Sequence, residues 1–312
     1  MPVNNIICIA GPTASGKTAL AVELAKELGG EVVSCDSMQI YRGMDIGTAK
    51  PTTDEMQNIP HHMIDICDPT EDFSVSRYCE LATPIVEDIL ARKKTAIIAG
   101  GTGLYMDSLI KGNDFAPVPA TGFREKLEAA LAETGIEPLL AQLQTIDPEA
   151  ASRSQGNPRR IIRALEVYYE TGETITAHNQ RTQAIPPRFQ PLWLGLDFES
   201  RSTLYSRIDQ RVEIMLQQGL LDEIRTLLSS GIPESCTAMQ AIGYKEFVDA
   251  LAGRSSVEEA LRQVQQSSRR YAKRQLTWFR RNEAMHWLIR RDGDTQEEIL
   301  QKARQVICNC DK

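Results

Sequence analysis

The sequence predicts an α/β protein, in which helices flank a parallel sheet and an all-helical insertion domain interrupts the sheet. Three observations indicate this fold class. Short apolar runs at residues 6–10, 31–35 and 95–99 are typical of strands buried on both faces. Helical patterns follow these runs, as they do in βαβ units. Only helical patterns and polar stretches occur between residues 116 and 189, before apolar text returns at 192–196.

The first apolar run leads directly into the text G-x-x-x-x-G-K-T. Glycines in such a loop let several backbone N–H groups point at one spot, the lysine adds a cation, and the last hydroxyl can ligate Mg²⁺. A helical pattern over residues 20–28 follows the loop. The pattern favours a P-loop NTPase-like site for a diphosphate or triphosphate over a purely structural glycine turn. The loop residues are Gly11, Pro12, Thr13, Ala14, Ser15, Gly16, Lys17 and Thr18.

Asp36 stands directly after the second predicted strand. Because the carboxyl ends of parallel strands gather at the edge that carries the phosphate loop, we expect Asp36 to lie close to Lys17 and Thr18. A carboxylate there can bind Mg²⁺ indirectly, act as a general base, or simply cap a helix. The polar loop at residues 41–51 belongs to the same edge, where long ordered loops are commonly functional.

Thr102 follows the strand predicted at residues 95–99. An ordinary P-loop ATPase carries a Walker-B aspartate at this point. Here Gly100 and Gly101 precede the threonine instead. Such a turn lets a ligand approach the backbone closely and makes Thr102 a candidate hydrogen-bond donor. The alternative is a tight strand-to-helix turn that needs glycine for steric reasons alone.

The chain changes character after about Asp114, where Pro117 and Pro119 mark an exit from the core. Amphipathic helices are predicted at residues 123–133, 138–144 and 158–169, and a polar stretch over 171–188 closes the segment. We therefore expect a core domain of residues 1–115 and 190–312 and a helical insertion domain of residues 116–189. Within the returning core, Arg207 and Arg211 share one helix face and point either into the core site or to solvent.

Composition restricts the partners of this chain. The 312 residues carry a net charge of −7, which argues against indiscriminate nucleic-acid binding. Residues 262–281 nevertheless hold seven basic side chains, no acidic one and three aromatic ones, a pattern suited to RNA or to a solvated helix face. No apolar run approaches membrane-spanning length, and seven scattered cysteines are typical of reduced thiols in a cytoplasmic protein.

Together these motifs resemble those of the bacterial tRNA dimethylallyltransferases, also called tRNA isopentenyltransferases. The resemblance covers nearly the whole chain, from Ile6 to the region of Arg280. Because the chain ends without the zinc-finger extension of eukaryotic relatives, it resembles the bacterial form of the family. One departure is Ser154-Gln155-Gly156, where many relatives carry a histidine-proline turn. The matching motifs are the phosphate loop, Asp36-Ser37-Met38-Gln39, residues 41–51, Pro60-His61-His62, residues 100–105, residues 160–166 and Gly243-Tyr244-Lys245.

The resemblance implies transfer of a dimethylallyl group from dimethylallyl diphosphate to N6 of the adenosine 3′ of the anticodon. It implies that the diphosphate, with Mg²⁺ on Thr18, occupies the loop, that Asp36 is the general base, and that Thr102 assists. Lys17 and an arginine hold the diphosphate, and Arg211 is chosen over Arg207. A monomer is expected, with its insertion domain clasping the tRNA anticodon stem-loop. The implied tRNA contacts are Asp36, Ser37, Met38, Gln39, Thr102, Arg124, Arg159, Arg160, Ile161, Ile162, Arg163, Gly243, Tyr244 and Lys245.

Two other functions remain compatible with the residues taken singly. A P-loop kinase of a nucleotide or small metabolite would explain the loop and Asp36, but neither the missing Walker-B acid nor the basic helix. A non-catalytic RNA-binding protein with a nucleotide-dependent switch would explain the loop and the basic helix.

Overall fold

The computed structural model describes residues 5–112 and 121–310. The residues taken as the exit from the core, Asp114, Pro117 and Pro119, lie outside these ranges. The described residues group into two compact units, one within Met1–Ile110 and Arg188–Lys312 and the other within Lys111–Pro187.

The first unit is built on a six-stranded sheet with all neighbours parallel, in the order β3-β2-β4-β1-β5-β6. Cys8 pairs with Ile98 on one side and with Trp193 on the other, so the strand before the loop is central. This arrangement confirms the predicted α/β class. The strands are β1 Ile6–Ala10, β2 Glu31–Cys35, β3 His61–His62, β4 Ala96–Gly100, β5 Leu192–Phe198 and β6 Met285–Arg290.

Helices cover both faces of this sheet, because the side chains of β1 alternate between two apolar clusters. Cys8 packs on one face, with residues such as Tyr78 and Met106. Ile9 packs on the opposite face, with residues such as Leu24 and Ile307. The helices of this unit are α1 Lys17–Leu28, α2 Thr53–Met56, α3 Val75–Ala91, α4 Gly103–Lys111, α10 Arg201–Gln217, α11 Leu220–Ser229, α12 Lys245–Leu251, α13 Val257–Phe279 and α14 Gln296–Cys310.

The second unit contains only helices in its described part. They surround an apolar cluster that includes Leu127, Leu143, Ile161 and Leu165. The side chain of Asn157 caps one of them by accepting the backbone N–H groups of Arg159 and Arg160. The helices are α5 Phe123–Thr134, α6 Glu137–Ile146, α7 Pro148–Ser154, α8 Pro158–Thr171 and α9 Ile175–Gln183.

Several elements were not predicted from the sequence. Helix α9 occupies the stretch interpreted as a polar closure, because none of its described residues is buried and no apolar periodicity marks it. Strand β6 mixes buried, partly buried and exposed residues, so it lacks the continuous apolar run of the inner strands. No helix among the described residues has the length and apolarity needed to cross a bilayer.

Candidate active site

The phosphate loop connects β1 to α1 and is shaped by close backbone approaches. A Cβ on Gly11 would lie 2.9 Å from the carbonyl oxygen of Leu196, so a larger residue does not fit there. Gly16 takes a left-handed conformation with φ of 92° and caps α1. Lys17 Nζ donates to Pro12 O at 2.8 Å, which folds the ammonium group back over the loop. The loop therefore gathers its donors at the start of a helix.

Lys17 lies in an environment with more positive than negative charge. Burial and the nearby Arg211 lower the pKa of Lys17 to about 8, while Asp36 acts in the opposite direction. Burial likewise lowers the pKa of Arg211, again opposed by Asp36. The three groups therefore lie within electrostatic reach of one another, as expected from the strand ends. An anion bound at the loop would relieve the repulsion between the two cations.

Arg207, one turn before Arg211 on α10, contacts the loop directly. Its Nε donates to Ala14 O at 3.1 Å, and its guanidinium lies 5.6 Å from the centre of the Phe198 ring. Arg211 is partly buried and acts on Lys17 through its charge. The sequence left open which arginine serves the loop, and the structure brings both to it in different ways.

Asp36 and Thr102 lie together where β2 and β4 end. Asp36 Oδ1 accepts the backbone N–H of Met38 at 2.9 Å. Thr102 Oγ1 accepts the backbone N–H of Ser37 at 3.1 Å. A Cβ on Gly100 would lie only 1.9 Å from Cys35 O, so the steric need for glycine holds at this position. The helix-capping alternative for Asp36 is wrong, because the next helix after β2 is α2, which begins at Thr53. The bond to Met38 belongs to a local turn and engages one carboxylate oxygen only.

Two residues of α13 complete this edge of the sheet and were missed as site residues. Gln275, 5% exposed, accepts the Thr13 N–H through Oε1 at 3.0 Å and donates from Nε2 to Gly101 O at 2.9 Å. Tyr271 hydrogen-bonds the Thr102 side chain, and burial and Asp36 raise its pKa to about 12. These two residues are four apart and so share a helix face, which was the available signal in a segment otherwise dominated by arginine.

A carboxylate of α11 anchors the middle of the polar loop at residues 41–51. Glu223 on α11 accepts the backbone N–H groups of Asp45, Ile46 and Gly47 at 2.9, 2.7 and 3.2 Å. The hydroxyl of Tyr244 donates to the same carboxylate at 2.7 Å. A Cβ on Gly47 would lie 2.5 Å from the Tyr244 ring, which explains the glycine.

The expected tRNA contacts divide into available and unavailable side chains. Arg159 and Arg160 are exposed on α8. Arg124 and Arg163 are also exposed, and both donate to Glu166, at 2.8–2.9 Å. Their charges are therefore positioned by a shared carboxylate.

Three of the expected tRNA contacts need correction. Ile161, Ile162 and Tyr244 are buried, with 0%, 4% and 0% exposure, so their side chains cannot reach an RNA. The two isoleucines belong to the apolar face of α8, whereas Tyr244 serves the Glu223 anchor. The remaining expected contacts outside α8 are Asp36, Ser37, Met38, Gln39, Thr102, Arg124, Gly243 and Lys245; of these, Gly243 is buried.

Metal ligands at the loop are few. Within residues 5–112 and 121–310, no group of three or more His, Cys, Asp or Glu side chains is placed to hold a metal ion. Thr18, at the start of α1, supplies one partly buried hydroxyl. This sparse donor set fits Mg²⁺ bound chiefly by substrate phosphate oxygens and water, as Mg²⁺ commonly is.

Comparison with known proteins identifies the family. The IPP transferase family model matches residues 39–282. A tRNA dimethylallyltransferase of Thermoanaerobacter sp. strain X514 is 46% identical over 297 residues, covering 94% of each chain. Its counterpart in Geobacillus thermodenitrificans is 48% identical over 304 residues, covering 97% of this chain and 95% of the relative.

Solved structures agree with the sequence matches. The tRNA isopentenylpyrophosphate transferase of Bacillus halodurans is 42% identical, with a TM-score of 0.72 over 98% of this chain and 97% of that one. A eukaryotic dimethylallyltransferase, described as acting on tRNA, is 28% identical, with a TM-score of 0.79 over 97% of this chain and 79% of that one. The resemblance seen in the sequence is confirmed, and the chain belongs to the IPP transferase family, which includes the tRNA dimethylallyltransferases.

Proposed function

We propose that this chain transfers a dimethylallyl group from dimethylallyl diphosphate to N6 of the adenosine that follows the anticodon of a tRNA. The observation that carries this proposal is the grouping of Asp36, Lys17 and Arg211 around the phosphate loop. A base and a cluster of cations within reach of one another suit a reaction that moves a proton and releases an anion.

The diphosphate leaves as an anion while positive charge develops at the allylic carbon. Lys17, Arg211 and the loop N–H groups are fixed before the reaction, so they stabilise the departing charge most strongly in the transition state. Arg207 braces the loop through Ala14 O. The Thr18 hydroxyl is the side-chain group of the loop that would hold Mg²⁺, which would supply further charge neutralisation when bound.

Asp36 is the proposed general base. An exocyclic amine is a weak nucleophile, because its lone pair is delocalised into the adenine ring. Transfer of an N6 proton to Asp36 as the new C–N bond forms removes this obstacle, while the C–O bond to the diphosphate breaks. Oδ1 is held by the Met38 N–H, and Oδ2 has no hydrogen-bond partner among the described residues. Oδ2 is therefore the oxygen assigned to the proton.

Thr102 and Tyr271 position the reacting groups in this proposal. The Thr102 hydroxyl is tied to Ser37 and Tyr271, so its orientation is fixed beside Asp36. The target base must leave its stack to reach this edge, which an anticodon loop permits at lower cost than a duplex.

The tRNA partner is proposed from exposed charge. Helix α13 and its C-terminal end expose basic side chains, and the helical unit exposes Arg159 and Arg160 on α8. We assign the helical unit to the anticodon stem-loop, and the reaction to the cytoplasm, with the chain acting as a monomer. The exposed basic residues at α13 are Arg262, Arg270, Lys273, Arg274, Arg280 and Arg281.

The test offers the purified chain unmodified tRNA with either dimethylallyl diphosphate or ATP, followed by mass spectrometry of the nucleosides. We expect prenylated adenosine only with dimethylallyl diphosphate. Asp36→Asn keeps an acceptor for the Met38 N–H but removes the base, so turnover is lost while tRNA affinity stays within a few-fold. Asp54→Asn, at an exposed carboxylate of α2, is the matched control. Phosphoryl transfer from ATP without prenylation, or full turnover in Asp36→Asn, would contradict the proposal.

A further inference from the structure

A second basic cleft lies beside the phosphate loop, and Arg207, which braces the loop, is the residue that it shares with the proposed transfer. It has a volume of about 390 Å³ and is formed by the end of β5, the first turns of α10 and the connection from β6 to α14. Phe198, Arg207 and Arg290 are among its lining residues. The two guanidinium groups lie 5.6 and 6.0 Å from the centre of the same Phe198 ring. The cleft therefore brings two cations to one apolar surface.

Two carboxylates, Asp292 and Asp294, also line the cleft, but among the described residues neither forms an ion pair with Arg290. Arg290 is 9% exposed, and burial and Arg207 lower its pKa, opposed by Asp294. Asp294 is already engaged, since its Oδ2 accepts from Lys302 Nζ at 2.6 Å and from the Arg291 N–H at 2.9 Å. A buried guanidinium whose nearby carboxylate is shared with two other donors favours an additional anion.

One residue that lines the cleft, Arg290, carries an unpaired polar atom. Within the described ranges, four buried side-chain nitrogen or oxygen atoms lack a hydrogen-bond partner, and three belong to Ser15, Arg290 and Gln296. Gln296 Oε1 accepts from Arg290 Nη2 at 2.7 Å, which leaves Gln296 Nε2 and Arg290 Nε unpaired. A Cβ on Gly16 would lie 3.4 Å from that Oε1 and 3.5 Å from that Nη2, so these side chains lie against the outside of the loop. Ser15 and Gln296 are not among the residues that line the cleft, so Arg290 Nε is the unpaired donor that belongs to it.

We propose that this cleft binds a phosphate group, with Arg290 and Arg207 as its cationic ligands. A tetrahedral anion accepts several hydrogen bonds at once and neutralises two arginines, so it suits the unpaired Arg290 Nε and the two guanidinium charges of the cleft. Free inorganic phosphate and released diphosphate share this chemistry. Arg207 also donates to Ala14 O of the loop. A phosphate bound in the cleft would therefore contact the same arginine that contacts the loop.

Equilibrium dialysis of radiolabelled inorganic phosphate against the full chain tests the proposal, in a Lys17→Met background that weakens the loop site. We expect saturable binding in that background, and a loss of affinity of roughly tenfold or more on adding Arg290→Met, as for a lost charged hydrogen bond. Arg304→Met is the matched control, since it removes one exposed positive charge of α14 that pairs with Glu27 and Glu297. The same series is repeated with pyrophosphate, and the ligand that binds more tightly, inorganic phosphate or diphosphate, is identified as the one that the cleft prefers.

Each other outcome overturns the proposal. Absence of saturable phosphate binding in the Lys17→Met protein would show that the loop is the site of phosphate binding. An equal loss of phosphate affinity in Arg290→Met and Arg304→Met would show that affinity responds to net charge alone. Thermal unfolding checks each variant. If Arg290→Met does not fold, Arg290→Lys replaces it, and unchanged affinity there rejects the role of the guanidinium. Neither dimethylallyl diphosphate nor tRNA is present, so the result is independent of the transfer assay.

Discussion

Replacement of Gln275 by methionine tests how α13 supports the phosphate loop. Methionine has nearly the same length but neither hydrogen-bonding group. The change leaves the Thr13 N–H and the Gly101 carbonyl without their buried partner, at a cost of about 1–3 kcal/mol for each group. We therefore expect the free energy of unfolding to fall by about 2–6 kcal/mol. Because native proteins are stable by about 5–15 kcal/mol, a loss near the lower end of this range leaves the chain folded, and urea unfolding shows which variants can be assayed.

The location of the bonds predicts which kinetic constant changes. Thr13 belongs to the loop proposed to hold the diphosphate, so we expect KM for dimethylallyl diphosphate to rise more than KM for tRNA. Urea unfolding and steady-state kinetics measure the two effects. Gln265→Met is the matched control on the same helix, since Gln265 makes only longer bonds of 3.4 and 3.3 Å to Asp209 O and Glu213. Destabilisation with both KM values unchanged would refute the link between Gln275 and the loop.

Three further results are expected. Only protonated Lys17 attracts the diphosphate, and its pKa is lowered to about 8. We therefore expect kcat/KM for dimethylallyl diphosphate to fall as the pH rises through about 8, whereas a flat profile up to about pH 9.5 would contradict this role of Lys17. Glu223→Gln should increase hydrogen exchange at residues 45–47 and cost about 1.5–3 kcal/mol, unlike Glu213→Gln at an exposed site. Affinity for tRNA should fall steeply with added salt, and a salt-independent affinity would remove α13 from the proposed interface.

The juxtaposition of Asp36, Thr102 and Lys17 was predictable because it depends on local rules. Each residue follows a strand, and parallel strands bring their carboxyl ends to one edge. Gln275 was not predictable in the same way. Its partners Thr13 and Gly101 lie 262 and 174 residues away in sequence. No local pattern in these segments indicates that they are in contact.

The burial of Ile161 and Ile162 was within reach of the sequence. These residues and Leu165 recur at the spacing of one apolar helix face, and this periodicity alone favours a core position over an RNA surface. The expectation that both touch tRNA came from a motif taken as a block. A motif that lies on a helix contains both a buried face and an exposed face, and only the exposed side chains can reach a partner.

Helix α13 has two faces with different tasks. One face of the helix carries Gln275, which accepts the Thr13 N–H of the phosphate loop. Arg270 and Lys273 are exposed to solvent on the same helix. A polyanion that shifts α13 would therefore also move Gln275 Oε1, the acceptor of the Thr13 N–H. Thermodynamic reciprocity then requires that any gain in diphosphate affinity produced by the RNA equals the gain in RNA affinity produced by the diphosphate.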